Sequence, residues 1–156
     1  MKLEEYEKFY GFDKNWPKET SRTLEYPEWT LGGVLENTAE KYPNSIAISF
    51  EGFRITYREL NALVDQFATG LAKLGIKRGD IVAINLPNIP QYMIAHFAIV
   101  KLGATTNPIL PVCRYVEIVH QINDSKANCL IILDYLYKEY LLNKDLSKMK
   151  TLENII

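Results

Sequence analysis

The sequence is poor in cysteine, in long apolar runs and in net charge, and each absence excludes a class of protein. Its two cysteines, Cys113 and Cys129, have no short spacing, which argues against a disulfide framework or a zinc site and predicts free thiols. Neither a run of about eighteen apolar residues nor the apolar core of a signal peptide occurs, so we expect a cytoplasmic protein without a membrane span. The formal net charge of -1 gives no reason to expect nucleic acid or an acidic membrane surface as a partner.

The common phosphate-binding motifs are absent as well. The sequence contains neither G-x-x-x-x-G-K-S/T nor G-x-G-x-x-G. Its glycines at positions 70, 75 and 79 have other spacings, and their contexts indicate helix ends and turns. A phosphate-binding loop is therefore not predicted.

What the sequence does contain is typical of a globular domain with its own core, since 47% of its residues are hydrophobic and 24% are charged. The stretch from Thr56 to Thr106 is the most regular part. Thr56 and Glu59 form a T-x-x-E capping box, which predicts a helix beginning at about Tyr57. Apolar residues then recur at spacings of three and four as far as Gly75, a residue suited to a left-handed helix end.

The remainder of this stretch predicts a strand, a helix and a second strand. Ile81 to Leu86 is an almost unbroken apolar run, which is typical of a strand covered on both faces in a parallel sheet. Pro90 suits the first position of the helix that follows, Gln91 to Leu102, because proline has no amide hydrogen to leave unpaired. A short strand is predicted at Ala104 to Asn107.

The flanking segments extend this pattern on both sides. Thr30 is placed to cap an amphipathic helix, and Glu51-Gly52 predicts a hairpin turn between two short strands. The flanking elements predicted are a helix over Leu31–Tyr42 with Leu31, Val34, Leu35, Thr38 and Ala39 inward, hairpin strands at 46–50 and 53–56, a helix over Cys113–Asn123 with Tyr115, Val116, Val119 and Ile122 inward, a strand at Asn128–Leu133, a short helix over Tyr135–Leu142 capped by Asp134, and an opening strand at Thr151–Ile156.

These elements predict an α/β fold: a mostly parallel open sheet from strands near 81, 104, 128 and 152, with helices on both faces and an amino-terminal β-hairpin. Residues 1–30 form an aromatic-rich leader with a short helix expected over Met1–Tyr10. Its aromatic residues Trp16, Tyr26 and Trp29 are expected to pack on the domain's own surface rather than on a second subunit. Because the last residues resemble an unfinished strand, we expect a fragment of a longer protein.

Candidate catalytic and metal-binding side chains are few. His96 lies one helical turn from Tyr92 and is a candidate general base, although a hydrogen-bonded core histidine is the favoured interpretation. His120 and Glu117 are three residues apart on one helical face, which favours a surface pair over a metal site. Neither histidine is assigned a catalytic role.

Position in the fold indicates two further candidate segments. Ligands of open α/β sheets bind outside the carboxyl ends of the strands, which places Asn85–Asn88 and Thr106–Pro108 on the functional rim. Structural roles are favoured even there, with Asn88 capping the next helix and Asn107-Pro108 turning the chain. Other polar and aromatic side chains are interpreted as solvated charges (Lys77, Arg78 and Lys101) or as helix packing (Tyr135, Tyr137 and Tyr140).

Three segments carry a resemblance to a known family: TYRELN at 56–61, LAKLGIKRGDIVAINLPN at 71–88 and KLGATTNPI at 101–109. They closely resemble the amino-terminal region of the adenylate-forming enzymes, the acyl-CoA synthetase and luciferase group. The resemblance runs from about Trp29 to Leu133. It continues more weakly through WPKETSRTLEYPEWTLGGVLENTAEKYPNSIAISFEGFRITY at 16–57, and this segment together with VEIVHQINDSKANCLIIL at 116–133 is most similar to the long-chain fatty acid–CoA ligases.

The resemblance implies a parent enzyme that uses ATP and Mg²⁺ to convert a fatty acid into an acyl-adenylate and then transfers the acyl group to coenzyme A. Residues 1–30 would be its leader and residues 31–156 the first part of its large amino-terminal domain, truncated at the carboxyl end. The family's phosphate loop, later nucleotide contacts and carboxyl-terminal lysine find no match here. No catalytic, cofactor-binding or metal-binding residue is therefore assigned, and the chain alone is expected to be an inactive scaffold.

Two alternatives remain at this point. The chain can be a stand-alone, non-catalytic α/β binding or interaction module, or it can belong to a branch of the same family that activates aryl or amino acids. Any exposed apolar strand edge or helix face would favour a homo-oligomer.

Overall fold

The computed structural model describes Glu5, Phe9, Gly11 and the ranges 16–21, 23–26 and 28–156. Most of the helix predicted over Met1–Tyr10 lies outside these residues. The described elements, in chain order, are α1 Leu31–Lys41, β1 Ile46–Phe50, β2 Phe53–Thr56, α2 Tyr57–Lys73, β3 Ile81–Asn85, α3 Pro90–Lys101, β4 Thr105–Pro108, α4 Tyr115–Ser125, β5 Cys129–Ile132, α5 Asp134–Tyr140, a 3₁₀ turn Leu146–Lys148 and β6 Asn154–Ile155.

The main sheet has four strands in the order β4-β3-β5-β6, and every neighbouring pair is parallel. β3 lies inside it, paired with Thr105–Pro108 on one side and with Cys129–Ile132 on the other. β1 and β2 form a separate antiparallel hairpin. The predicted α/β fold with a parallel open sheet and an amino-terminal hairpin is confirmed.

Two hydrophobic cores cover the two faces of the sheet, because successive side chains of a strand point to opposite faces. Val82 and Ile84 of β3 lie in the first core, which α2 and α3 complete. Ala83 lies in the second core, together with Ile118 of α4 and Leu136 of α5. Helices therefore cover both faces, as the unbroken apolar run of β3 predicted.

The capping box at the start of α2 forms as predicted. The backbone N–H of Thr56 donates to Glu59 Oε2 at 2.8 Å, and the N–H of Glu59 donates to Thr56 Oγ1 at 3.3 Å. The Thr56 hydroxyl also donates to the same carboxylate. Two hydrogen bonds from Thr56 lower the pKa of Glu59, and the one from the Thr56 backbone has a larger effect than the one from its side chain.

Left-handed residues close the hairpin and end α2. Glu51 and Gly52 have φ angles of +46° and +85°, and two successive positive φ angles match the twist of paired strands. Gly75 has a φ of +93°, which a residue with a Cβ atom would adopt only with strain. Both local predictions are confirmed.

Several predicted inward positions are wrong. Val116 is 75% exposed, because α4 buries the face that carries Ile118 and Ile122. Leu31 and Val34 of α1 are exposed, and this helix buries Gly32, Leu35 and Ala39. Asp134 does not cap α5; it is the first helical residue and pairs with Lys138 instead.

The leader aromatics are also placed differently from the prediction. Trp16, Tyr26 and Trp29 are all exposed rather than packed on the surface of the domain. The Trp16 indole N–H donates to the carbonyl of Thr20 at 2.8 Å, so its polar edge is satisfied locally. No helix in the described part of the chain is long and apolar enough to cross a lipid bilayer.

Lys101, interpreted from the sequence as a solvated charge, instead joins three helices. From the end of α3 its ammonium pairs with Asp65 of α2 and with Glu36 of α1, the latter at 2.5 Å. Burial alone would lower the pKa of Lys101, but the hydrogen bonds and charges of both carboxylates outweigh it and raise this pKa. Helices α1 and α3 are in close contact at this point, because a Cβ atom placed on Gly32 would lie only 3.3 Å from the Lys101 Cα.

Replacing the capping threonine should weaken the fold. We expect Thr56→Ala to lower the free energy of unfolding by about 1 kcal/mol, because a helix N-terminal N–H loses its acceptor. The matched control is Thr69→Ala on the exposed side of the same helix, which should be close to neutral because alanine has the higher helix propensity. Urea unfolding of both variants is the measurement, and equal effects would contradict the capping role.

Removing the Lys101 charge should produce a pH-dependent loss of stability. We expect Lys101→Met to lower the unfolding free energy by about 1–2 kcal/mol at neutral pH, because Asp65 and Glu36 lose their common counter-ion. Because the two carboxylates raise the pKa of Lys101, the deficit should be full at neutral pH and should shrink in alkali as the ammonium loses its proton. Lys73→Met, at the exposed end of α2, is the control. A deficit that stays constant as the pH is raised from 7 into the range where lysine loses its proton would count against the charge explanation.

Candidate functional site

An apolar cleft opens where the carboxyl ends of β3 and β5 lie side by side. The chain leaves the carboxyl end of β3 through α3 towards β4, and it leaves the carboxyl end of β5 through α5 towards β6, on the opposite side. Because α3 and α5 also lie on opposite faces of the sheet, the connections diverge at this point. Such a topological switch point is where open α/β sheets bind their ligands.

The switch-point cleft has a volume of about 370 Å³, within the range of small-molecule sites. Aliphatic and aromatic side chains form most of its wall. Among the described residues its lining contains no lysine, arginine or histidine that would neutralise a phosphate group. The lining residues are Phe67 of α2, Leu86 and Ile89 after β3, Gln91, Ile94 and Ala95 of α3, Ile131, Ile132, Leu133 and Asp134 around the end of β5, and Ile156.

Asp134 is the carboxylate of this cleft, and it already has a partner. Lys138 Nζ lies 3.1 Å from Asp134 Oδ2, one helical turn along α5. The hydrogen bond from Lys138 is the largest influence on the pKa of Asp134 and lowers it, and a backbone hydrogen bond from Tyr135 acts in the same direction. An ionised, paired carboxylate is the kind of group expected at the solvent-facing edge of an otherwise apolar cleft.

The two rim segments predicted from the sequence lie at the carboxyl edge, but the side-chain amides of Asn85 and Asn107 are used within the fold. Asn85 is fully buried and donates from Nδ2 to Leu110 O at 3.1 Å and to Ile109 O at 3.4 Å. Asn107 donates to Ser125 Oγ at 2.9 Å. Asn88 is exposed and does not cap α3, whose N-cap residue is Ile89.

His96 has the hydrogen-bonded role favoured by the sequence. Its Nδ1 lies 3.2 Å from Thr106 Oγ1, which ties α3 to β4, and burial lowers the pKa of the imidazole. His120 is exposed, and the carboxylate of Glu117 accepts the backbone N–H of Arg114. Within the described residues no group of three histidine, cysteine, aspartate or glutamate side chains is placed to hold a metal ion.

The cysteines and tyrosines occupy structural positions. Cys129 is buried in β5, and burial raises its pKa to about 11; Cys113 is half-buried and its sulfur accepts a hydrogen bond from Gln121. Both thiols are free, as predicted. Tyr137 and Tyr140 pack against the second core as expected, whereas Tyr135 is exposed.

Sequence analysis missed half of the switch-point cleft. It placed the end of β3 at the functional edge but did not include Ile131–Asp134 or Phe67. β5 had been predicted as a strand, but its place beside β3 depends on the strand order. A buried strand followed by a short helix was the available signal, and by itself it does not identify the neighbouring strand.

Comparisons with known proteins extend over most of the chain. Residues 35–156 match the family described as AMP-binding enzyme. A long-chain-fatty-acid–CoA ligase of Bacillus subtilis is 30% identical over 137 residues, covering 88% of this chain and 23% of that protein. A 2,3-dihydroxybenzoate-AMP ligase of the same organism is 36% identical over 148 residues, covering 90% of this chain and 28% of that protein.

A solved structure gives the same result. The crystal structure of a long-chain-fatty-acid–CoA ligase from Archaeoglobus fulgidus superimposes with a TM-score of 0.79 at 25% identity, covering 90% of this chain and 29% of that one. The chain thus spans about a quarter of the length of the relatives it matches. Since the family match includes the hairpin, the whole parallel sheet and the switch-point cleft, this chain belongs to the AMP-binding enzyme family.

Proposed function

We propose that this chain supplies the amino-terminal scaffold of an ATP-dependent ligase that joins a fatty acid to coenzyme A. The match of residues 35–156 to the AMP-binding enzymes carries the proposal. The similarity to long-chain-fatty-acid–CoA ligases in both sequence and fold supports the choice of acid. In this proposal residues 1–30 are a leader, and residues 31–156 are the first part of a larger amino-terminal domain.

The chemistry of such a ligase requires two steps, because a carboxylate is a poor electrophile. In the first, a carboxylate oxygen attacks the α-phosphorus of ATP, pyrophosphate leaves, and an acyl-adenylate forms. In the second, the thiol of coenzyme A loses its proton and attacks the acyl carbon, AMP leaves, and a thioester forms. ATP and coenzyme A supply the activating and accepting groups, and Mg²⁺ would neutralise phosphate charge.

The switch-point cleft does not fit the triphosphate of ATP. Its described walls are mostly apolar and include no cationic side chain, and Lys138, the cation beside it, is already paired with Asp134. No step of the reaction is therefore assigned to a residue of this chain. Its contribution is a rigid parallel sheet whose carboxyl edge supports the neighbouring loops.

A second candidate is activation of an aryl acid instead of a fatty acid. The 2,3-dihydroxybenzoate-AMP ligase is the more identical of the two relatives above, and its match covers a similar share of the chain. Both candidates share the adenylation step and differ in the acid, so a panel of acids distinguishes them.

The purified 156-residue chain should show no ligase activity. We expect no fatty-acid-dependent release of pyrophosphate above a no-enzyme control in the presence of ATP and Mg²⁺, because the described residues offer no phosphate site. A coupled pyrophosphate assay is the measurement. Release that depends on the fatty acid and is lost on heat denaturation would overturn the scaffold assignment.

The native polypeptide provides the complementary experiment. An antibody against this chain would isolate it from its source cells for intact mass measurement and an assay with fatty, aryl and amino acids. A product several times larger than 18.0 kDa that forms acyl-CoA from fatty acids would support the proposal. Activity confined to aryl or amino acids would move the assignment to that branch, and an inactive native product of about 18.0 kDa would favour a free-standing module.

A further inference from the structure

Asn85 is a fully buried polar residue at the carboxyl end of the central strand β3. Burying an amide costs free energy unless its groups are hydrogen-bonded. Its Oδ1 has no partner among the described residues, so the two donor hydrogens on Nδ2 carry its polar contacts. An apolar side chain would avoid the unpaired oxygen, which indicates that the amide N–H groups have a specific role.

Both amide contacts reach one short segment that follows β4. Nδ2 donates to Leu110 O at 3.1 Å and, more weakly, to Ile109 O at 3.4 Å. The main chain adds a third contact, because the Ile109 N–H donates to Ile84 O at 2.8 Å. The end of β3 therefore holds this segment through one main-chain and two side-chain hydrogen bonds.

Beyond this anchor the chain makes a tight turn with an apolar, exposed tip. The Cys113 N–H donates to Leu110 O at 3.0 Å, so the Leu110 carbonyl accepts from both Cys113 and Asn85. Ile109 is buried, whereas Leu110 and Val112 are 68% and 76% exposed. Burial of Leu110 and Val112 therefore does not hold the tip of this turn, and what remains is the fixed φ of Pro111 within the turn and the polar contacts at its base.

We propose that Asn85 is a positioning residue, whose amide fixes the Leu110–Cys113 turn at the carboxyl edge of the sheet. The role concerns this chain's own geometry and does not depend on the proposed function. Leucine matches asparagine in size but cannot donate. Aspartate has the same shape but, when ionised, would point negative oxygens at two carbonyl oxygens; when protonated, it recovers a single donor.

The test compares Asn85→Leu and Asn85→Asp with the unaltered 156-residue chain by backbone ¹⁵N relaxation. In the unaltered chain we expect order parameters of about 0.85 at Leu110, Val112 and Cys113, falling below about 0.6 in Asn85→Leu. In Asn85→Asp the turn should be mobile where the carboxyl is ionised and become ordered as the pH falls through its pKa, which burial would raise, because a protonated carboxyl donates to Leu110 O. This recovery is a response that a merely space-filling role would not give.

Asn128→Leu is the matched control. Asn128, at the amino end of β5, also has a buried Oδ1 without a partner among the described residues, but its side chain makes no hydrogen bond to the turn. The Asn128→Leu substitution should leave the order parameters of the turn unchanged, whatever its effect on the stability of the chain. The proposal is overturned if Asn85→Leu leaves the turn rigid, if Asn128→Leu mobilises it equally, or if the turn in Asn85→Asp does not respond to pH. Because Asn85→Asp in acid restores a donor, the test survives if Asn85→Leu fails to fold.

Discussion

Burial of β3 on both of its faces and along both of its edges is the constraint on which the rest of the structure depends. Val82 and Ile84 contribute to one core and Ala83 to the other, while β4 and β5 satisfy the two edges of the strand. Since both neighbours are parallel to β3, each connection must cross a face of the sheet, which places the helices. The connections that leave the carboxyl ends of β3 and β5 run in opposite directions, to β4 and to β6, and leave the switch-point cleft between them.

The features predicted correctly from the sequence are those decided by neighbours along the chain. The contacts of Thr56 and Glu59 span three residues, and the left-handed turn at Gly75 depends on its own backbone. The apolar run of β3 signals two covered faces without identifying what covers them. These local signals were sufficient to predict the fold class. Together with the rule that open α/β sheets bind ligands outside the carboxyl ends of their strands, they also predicted the part of the switch-point cleft that follows β3.

What the sequence could not provide depends on contacts between distant segments. Lys101 appears as an isolated cation until Glu36 and Asp65 approach from two other helices. Asn85 appears as the last polar residue of a strand until the segment after β4 lies against it. Val116 shows the same limit within one helix, because α4 packs on the rest of the fold through the face that carries Ile118 and Ile122 and leaves Val116 exposed.

The two cysteines lie in different environments, so that a thiol reagent can modify Cys113 and leave Cys129 unmodified. A thiol reacts as its thiolate, so the raised pKa and burial of Cys129 protect it from alkylating reagents. Cys113 is half-buried and closes the turn held by Asn85. A maleimide dye should therefore attach at one site without mutagenesis, and its fluorescence would report directly on the carboxyl edge of the sheet.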